Sequence, residues 1–292
     1  MTGFRLTIGY LYPGIMCACG DRGNVETVLR RCAWRDIEAE VTELHLGDRV
    51  QAAEVDLLML GSGRRSQQLL VAGDLARVKG PAIREAVAQG AAMLAVAGGY
   101  QLLGRFCQPV RGAEIPGAAL FDAWTFDSGA DLRQPGTMTG AGSGRAIGDL
   151  VVRWDDELLI GFQDHGSRTY LGPTARALGR VLIGHGNNGE GHEGVILGNA
   201  IGTYLRGPCL PRNPALADFL IRAALARRYG HADLQPLPDR IEHRAHQAAL
   251  RRVQASSRSA GALTQRLARL SRASRRSRPD PARRQLESAA RR

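Results

Sequence analysis

A short apolar run that ends in two glycines constrains the fold of this 292-residue chain more than any other feature. Residues 92–96 have the pattern of a buried strand, and they lead directly into Ala97-Gly98-Gly99 and a helical pattern from Tyr100. The preceding residues alternate in the same way, with strands predicted at 6–11, 39–46 and 56–60 and helices at 24–34, 66–79 and 81–89. This alternation predicts a three-layer α/β sandwich with a mostly parallel central sheet.

The second half of the domain has a different pattern. Short alternating segments separated by glycine occur at residues 147–153, 158–162, 177–183 and 194–197, and they predict strands of an extended or second sheet. A last helix is expected to begin at Pro214, with Asn213 as the candidate N-cap, and to end near Tyr229-Gly230.

The net charge of +11 is concentrated at one end of the chain. Residues 241–292 contain 14 arginines and three acidic residues, so the remaining 240 residues are neutral. We therefore expect a globular domain at 1–240 and a disordered, Arg-rich C-terminal tail at 241–292. Three interpretations of the tail stay open, namely a solvated segment, a segment that contacts polyanions such as nucleic acid or anionic lipid, and a segment that docks on a protein partner.

Cysteine usage and hydropathy favour a cytoplasmic protein. The five cysteines are too few and too irregular for a disulfide framework, and no run of 18 apolar residues indicates a transmembrane segment. Cys17 and Cys19 have no second pair at zinc spacing, and the histidines at 165, 185 and 192 form no ligand pattern. We expect neither a metal nor a cofactor.

Five motifs in order along residues 4–230 resemble one known family. They are LYP (11–13) with GDRGN (20–24), AGGYQLLG (97–104), DHGSRT (164–169), GHGNN (184–188), and GTYLRGP (202–208) with LPRN (210–213). The resemblance is to the GatD group of CobB/CobQ-like class I glutamine amidotransferases. It implies the class I amidotransferase form of the sandwich, release of ammonia from glutamine by a Cys nucleophile and a His base, and transfer to a Mur-ligase-like partner that amidates the D-glutamate of the lipid II stem peptide.

Both reacting groups of that family are replaced in this chain. Ala97 stands at the nucleophile position of the family's Cys-Gly-Gly-Tyr-Gln, and Arg206 stands at the base position of its Thr-Tyr-Leu-His-Gly-Pro. Alanine has no nucleophilic atom, and a guanidinium that stays protonated cannot accept a thiol proton. A Cys→Ala change introduced to trap substrate would explain Ala97 alone, so the paired loss favours natural degeneration and predicts no catalytic residue.

Other positions match the binding elements of the family. Arg145 falls where the family holds the glutamine carboxylate, and the alternative for it is an ordinary surface arginine. Gly61, Gly63 and Gly98 fall at turns that could shape an oxyanion-type site, so these four residues are predicted to bind substrate. A relocated nucleophile could come only from nearby thiols such as Cys107 and Cys209, for which buried, inert thiols are the expectation.

These observations predict a GatD-like homologue that lacks glutaminase chemistry. It would be a non-catalytic binding or scaffolding subunit for a Mur-ligase-like partner in peptidoglycan amidation. One alternative is an active glutaminase subunit of lipid II isoglutaminyl synthase. Another is an amino-acid sensor that binds glutamine or glutamate without turnover.

Overall fold

A six-stranded sheet forms the centre of the protein in the computed structural model, which describes residues 3–127, 144–231 and 233–256. Its strands are β1 (Arg5–Leu11), β2 (Glu38–Leu44), β3 (Leu57–Leu60), β4 (Ala92–Val96), β13 (Val195–Leu197) and β14 (Ala200–Thr203). They lie in the order β13-β14-β4-β3-β1-β2, and only β13 is antiparallel to its neighbour. Every residue of β3, β4 and β14 is buried, as expected for central parallel strands covered on both faces.

Helices cover both faces of this sheet. They are α1 (Arg22–Ala33), α2 (Arg65–Asp74), α3 (Gly80–Ala88), α4 (Gly98–Leu103) and α5 (Pro214–Tyr229), with a π-helical turn at Leu75–Lys79 between α2 and α3. The chain moves from β1 to β2 in one direction and from β3 to β4 in the other, so right-handed crossovers place α1 and the α2–α3 segment on opposite faces. Helix α5 packs with α1, and α4 packs with α2. The prediction of a three-layer α/β sandwich is therefore confirmed.

Two smaller sheets hold most of the remaining strands. One has the order β10-β7-β5-β6, and the other, fully antiparallel, has the order β12-β11-β8-β9. Their strands are β5 (Phe106–Gln108), β6 (Ile115–Pro116), β7 (Ala123–Asp127), β8 (Ala146–Trp154), β9 (Glu157–His165), β10 (Ser167–Leu171), β11 (Gly179–Ile183) and β12 (His192–Glu193). The predicted strands at 147–153, 158–162 and 177–183 lie in the antiparallel sheet, whereas the strand at 194–197 joins the central sheet as β13.

The C-terminal part differs from the expected tail in its first residues. Residues 240–256 are helical, so the disorder predicted for 241–292 does not extend over 241–256, and residues 257–292 lie outside the described part. Packing divides the chain between Gln247 and Ala248. A contact past residue 240 belongs to the first unit, because His246 Nδ1 lies 2.7 Å from the Arg212 carbonyl oxygen. Just before that boundary, Asp239 pairs with Arg31 at 2.6 Å. Within the described residues, no helix is long and apolar enough to cross a membrane.

Candidate functional site

A cavity of about 1060 Å³ opens where β1, β3, β4 and β14 end at one edge of the central sheet. Sites at this edge are general in α/β sheets, because the loops that follow parallel strands meet there. The cavity is lined by Ala18, Cys19, residues 62–68, Ala97, Gly98, Gln101, Asp127, Arg145, residues 164–167 and Arg206.

The structure brings five of the six predicted site residues to this cavity. Ala97, Arg206, Arg145, Gly63 and Gly98 line it. The sixth, Gly61, is not among the lining residues. It packs closely against Asp21, and a Cβ on Gly61 would lie 2.9 Å from the side chain of that residue.

The turn between β4 and α4 holds Ala97 in a strained conformation. Its φ and ψ are 46° and −105°, a region that costs a residue with a Cβ on the order of 1–3 kcal/mol. The Ala97 backbone N–H donates to the Thr203 carbonyl at 2.8 Å, and its carbonyl accepts from the Gln101 N–H at 2.9 Å. The sharp strand-to-helix turn that projects a nucleophile in α/β enzymes is thus present here, with a methyl group in its place.

Close backbone packing explains the glycine that follows. A Cβ on Gly98 would lie 2.7 Å from Gln68 Nε2 and 2.8 Å from the Gly63 carbonyl oxygen. The approach to the backbone oxygen is not tolerated by a larger residue, so Gly98 allows the start of α4 to touch the loop after β3. This contact joins two of the loops that form the cavity.

Arg206, predicted from its motif to stand at the base position, lines the cavity. Its backbone pairs with Phe162, with the Arg206 N–H donating to the Phe162 carbonyl at 2.8 Å. Its Nη1 donates to the Asp164 carbonyl oxygen and its Nη2 to Cys19 Sγ, both at 2.7 Å. Nε is buried and has no partner among the described residues. Every nitrogen of this group is a donor, so it cannot accept a proton.

Arg145 lies at the mouth of the cavity. Its Nε donates to Asp164 Oδ1, and this guanidinium holds the pKa of the Asp164 carboxyl below its usual range. Asp164 Oδ2 lies 3.9 Å from Nη1 of Arg206. One carboxylate therefore stands between two guanidinium groups.

His165 forms part of the cavity wall. Its ring stacks on Tyr204 at a centroid distance of 3.8 Å, and its Nδ1 lies 2.8 Å from the Ser167 carbonyl oxygen. Because a carbonyl only accepts, Nδ1 carries the hydrogen. Burial lowers the pKa of His165 to about 4, so the ring is neutral at physiological pH.

A chain of side-chain hydrogen bonds forms the floor. Arg65 donates to Gln68 Oε1 at 2.6 Å, Gln68 Nε2 donates to Gln101 Oε1 at 2.8 Å, and Gln101 Nε2 donates to the Tyr204 hydroxyl at 3.0 Å. Sequence reasoning missed Arg65, Gln68 and Gln101 as site residues, although Gln101 belongs to the AGGYQ motif. Such a connected network fixes the shape of the cavity without a ligand.

The structure also locates the thiols. Cys107 and Cys209 are buried, and burial raises their pKa values to about 11 and about 12, so neither supplies a thiolate. Cys19 is the thiol that lines the cavity, a position that the sequence analysis did not anticipate. Among the residues that the structure describes, no group of three or more His, Cys, Asp or Glu side chains could hold a metal ion.

Comparison with known proteins shows the family to which the chain belongs. The sequence model of the CobB/CobQ-like glutamine amidotransferase domain matches residues 23–214, which is more than half of the chain. The chain belongs to the CobB/CobQ-like glutamine amidotransferase family. The family resemblance predicted from the motifs is therefore confirmed.

Curated relatives extend this match along most of the chain. The GatD subunit of lipid II isoglutaminyl synthase (glutamine-hydrolyzing) from Staphylococcus aureus (strain N315) is 30% identical over 251 residues, which is 85% of this chain and 96% of the relative. The corresponding GatD subunit from Streptococcus pneumoniae (strain ATCC BAA-255 / R6) is 32% identical over 238 residues, covering 80% of this chain and 85% of the relative. A cobyric acid synthase from Pelotomaculum thermopropionicum is 33% identical over 136 residues, which is 43% of this chain and 25% of that enzyme.

Proposed function

We propose that this amidotransferase-family chain is a GatD-like subunit that has lost glutamine hydrolysis and acts as a binding or scaffolding partner of a Mur-ligase-like protein in lipid II amidation. The observation that carries the proposal is the joint presence of Ala97 and Arg206 in one cavity, at the positions of the family's nucleophile and base. The similarity to two GatD subunits supports the cell-wall assignment and the expectation of a partner.

The chemistry of the cavity supports the loss of turnover. Hydrolysis through a covalent intermediate needs a nucleophile and a group that takes its proton, and Ala97 and Arg206 supply neither. Enzymes lower reaction barriers by about 8 kcal/mol or more, and neither Ala97 nor Arg206 supplies a nucleophile or a proton acceptor toward that reduction.

The alternative of an active subunit would need a thiol from elsewhere in the cavity. Cys19 is the candidate, since Cys107 and Cys209 are buried. Its described neighbour is the Arg206 guanidinium, which donates a hydrogen bond and accepts no proton. The observations therefore favour the inactive subunit.

The test is an assay of ammonia and glutamate release from glutamine, with the chain alone and mixed with the Mur-ligase-like protein. The positive control is the complex that contains the S. aureus GatD subunit, because that synthase is named as glutamine-hydrolyzing. We expect release at background in both samples and co-purification of the chain with the ligase-like protein. Glutamine-dependent ammonia release that disappears in a Cys19→Ser variant would establish the alternative, and failure to co-purify would remove the scaffolding role.

A further inference from the structure

The replacement at position 206 changes the charge of the cavity and with it the ligand that the cavity suits. We propose that the cavity selects L-glutamate, an amino acid with a second carboxylate, over the neutral amide glutamine. This inference rests on the proposed function, because a cavity that binds without hydrolysis is one in which ligand preference is free to differ from that of a glutaminase.

The described lining residues carry more positive than negative charge. Four arginines and two aspartates line the cavity, namely Arg64, Arg65, Arg145, Arg206, Asp127 and Asp164. Arg65 is paired with Asp127, whereas Arg145 and Arg206 share Asp164. An excess of two positive charges in a partly enclosed space attracts anions, and it does so more strongly than at an open surface.

Arg206 is a largely buried cation whose closest partners are uncharged. Its side chain is only 14% exposed, yet its two short hydrogen bonds go to a carbonyl oxygen and to a thiol, neither of which carries a formal negative charge. The Asp164 carboxylate oxygen is 3.9 Å away and already accepts from Arg145 through its other oxygen. Asp164 at 3.9 Å and the buried Asp21, which interacts electrostatically with Arg206, offset part of this charge. A ligand carboxylate in the cavity would add the close charge-assisted pair that neither of them makes.

The arrangement suits two carboxylates on one small molecule. Arg145 contacts one oxygen of Asp164 and Arg206 Nη1 lies 3.9 Å from the other, so both guanidinium groups face the same carboxylate. A ligand with carboxylates at both ends can engage Arg145 with one and Arg206 with the other. Ala97 adds no opposing charge, whereas the thiolate of a nucleophilic cysteine would repel a carboxylate there.

Glutamine meets the same groups less well. Its terminal amide has a neutral oxygen and an NH₂ that can only donate, while the guanidinium of Arg206 also only donates. The amide oxygen of glutamine can still accept from Arg206, but glutamine offers neither the second acceptor oxygen nor the negative charge of a carboxylate, which predicts glutamate binding about tenfold tighter or more.

The experiment is isothermal titration calorimetry of the full chain with L-glutamate and with L-glutamine, and the variants separate the two arginines. Arg206→Gln should weaken glutamate about tenfold and leave glutamine nearly unchanged, so the preference disappears. Arg206→Lys keeps the charge and should keep the preference, while Arg145→Gln should weaken both ligands. The matched control is Arg153→Gln, an exposed arginine on β8 outside the cavity lining, which should change neither affinity.

Equal or tighter binding of glutamine, or no binding of either amino acid at millimolar concentration, would overturn the proposal. A preference that survives Arg206→Gln would overturn the role of that residue. Circular dichroism shows whether each variant is folded, and if Arg206→Gln is not, Arg206→Lys and Arg145→Gln still test the assignment. Ammonia measured in the same samples distinguishes the two proposals, since its release refutes the loss of hydrolysis, whereas a failed preference without ammonia refutes only the selectivity.

Discussion

Replacing Glu193 by glutamine should make the free energy of unfolding, measured relative to the parent chain, rise with pH between pH 4.5 and 6.5. Glu193 is fully buried, and one of its oxygens accepts from Thr203 Oγ1 at 2.7 Å and from the Tyr204 N–H at 2.6 Å. Its other oxygen has no partner among the described residues, and burial raises its pKa from 4.5 to about 7. The folded state therefore keeps a proton that the unfolded state loses above pH 4.5, so this group's contribution to the free energy of unfolding falls as pH rises.

His165 contributes the opposite slope. Burial lowers its pKa from 6.5 to about 4, so the unfolded state takes up a proton below pH 6.5 while the folded state does not. Its contribution to the free energy of unfolding therefore falls as pH decreases from 6.5 to 4. Each group contributes about 1.4 kcal/mol per pH unit where the two states differ by a full proton, and the two windows overlap from 4.5 to 6.5. In the parent chain the two slopes cancel there.

Glu193→Gln removes the contribution of Glu193 to the pH dependence of unfolding and leaves that of His165 uncompensated. The glutamine Oε1 can accept the same two hydrogen bonds, so the variant should fold, and its stability relative to the parent should increase by about 3 kcal/mol from pH 4.5 to 6.5. His165→Asn should produce a decrease of similar size, and the double variant should regain the parent's slope. Urea unfolding followed by circular dichroism measures these differences, in which contributions from other groups cancel. Parallel curves for Glu193→Gln and the parent would refute the reasoning.

Three further perturbations test other parts of the structure. Ala97→Gly should raise the free energy of unfolding by about 1 kcal/mol, because glycine relieves the positive φ of 46°, and a loss of stability in urea unfolding would contradict this. Lys79→Ala should lower the free energy of unfolding by about 3 kcal/mol or more, since the buried Nζ forms an ion pair with Asp74 at 2.6 Å. In the same assay the control Arg5→Ala, at an exposed ion pair, should lower it by less than about 1 kcal/mol. Truncation after Ser256 removes 11 arginines and two acidic residues, so salt-sensitive retention on heparin should be lost, and persistent retention would place the polyanion-binding charge elsewhere.

The central sheet was predictable where glycines mark strand ends. The strand predicted at 92–96 matches β4 to the residue, because the apolar run stops at Ala97-Gly98-Gly99. Strand β14 is equally buried but was not predicted, since four residues between turns carry too little periodicity to separate strand from helix. The helix predicted at 66–79 also divides in the structure, because α2 ends at Asp74 and a π-helical turn follows.

Only the site residues that lie within recognisable sequence motifs could be predicted. Ala97, Arg206 and Arg145 were identified by their place in short motifs, and the structure brings all three to one cavity. The partners of Arg206 could not be predicted, because its hydrogen bonds to Asp164 and Cys19 span 42 and 187 residues of sequence. The periodicity of apolar residues predicts helices and strands, whereas hydrogen bonds between residues far apart in sequence depend on how sheets and loops pack together.

The contacts that set the shape of the cavity are packing contacts and backbone hydrogen bonds, so the proposed loss of hydrolysis is compatible with an intact cavity. The strained turn at Ala97 is held by backbone hydrogen bonds to Thr203 and Gln101, neither of which involves a reacting group. Gly98 must remain small because it touches Gln68 and Gly63 across the cavity floor. Loss of a nucleophile removes none of these contacts, so it leaves the fold and the cavity in place. Under the proposed function, the change lies in the charge of the lining, where an arginine and a methyl group would favour holding an anion over cleaving an amide.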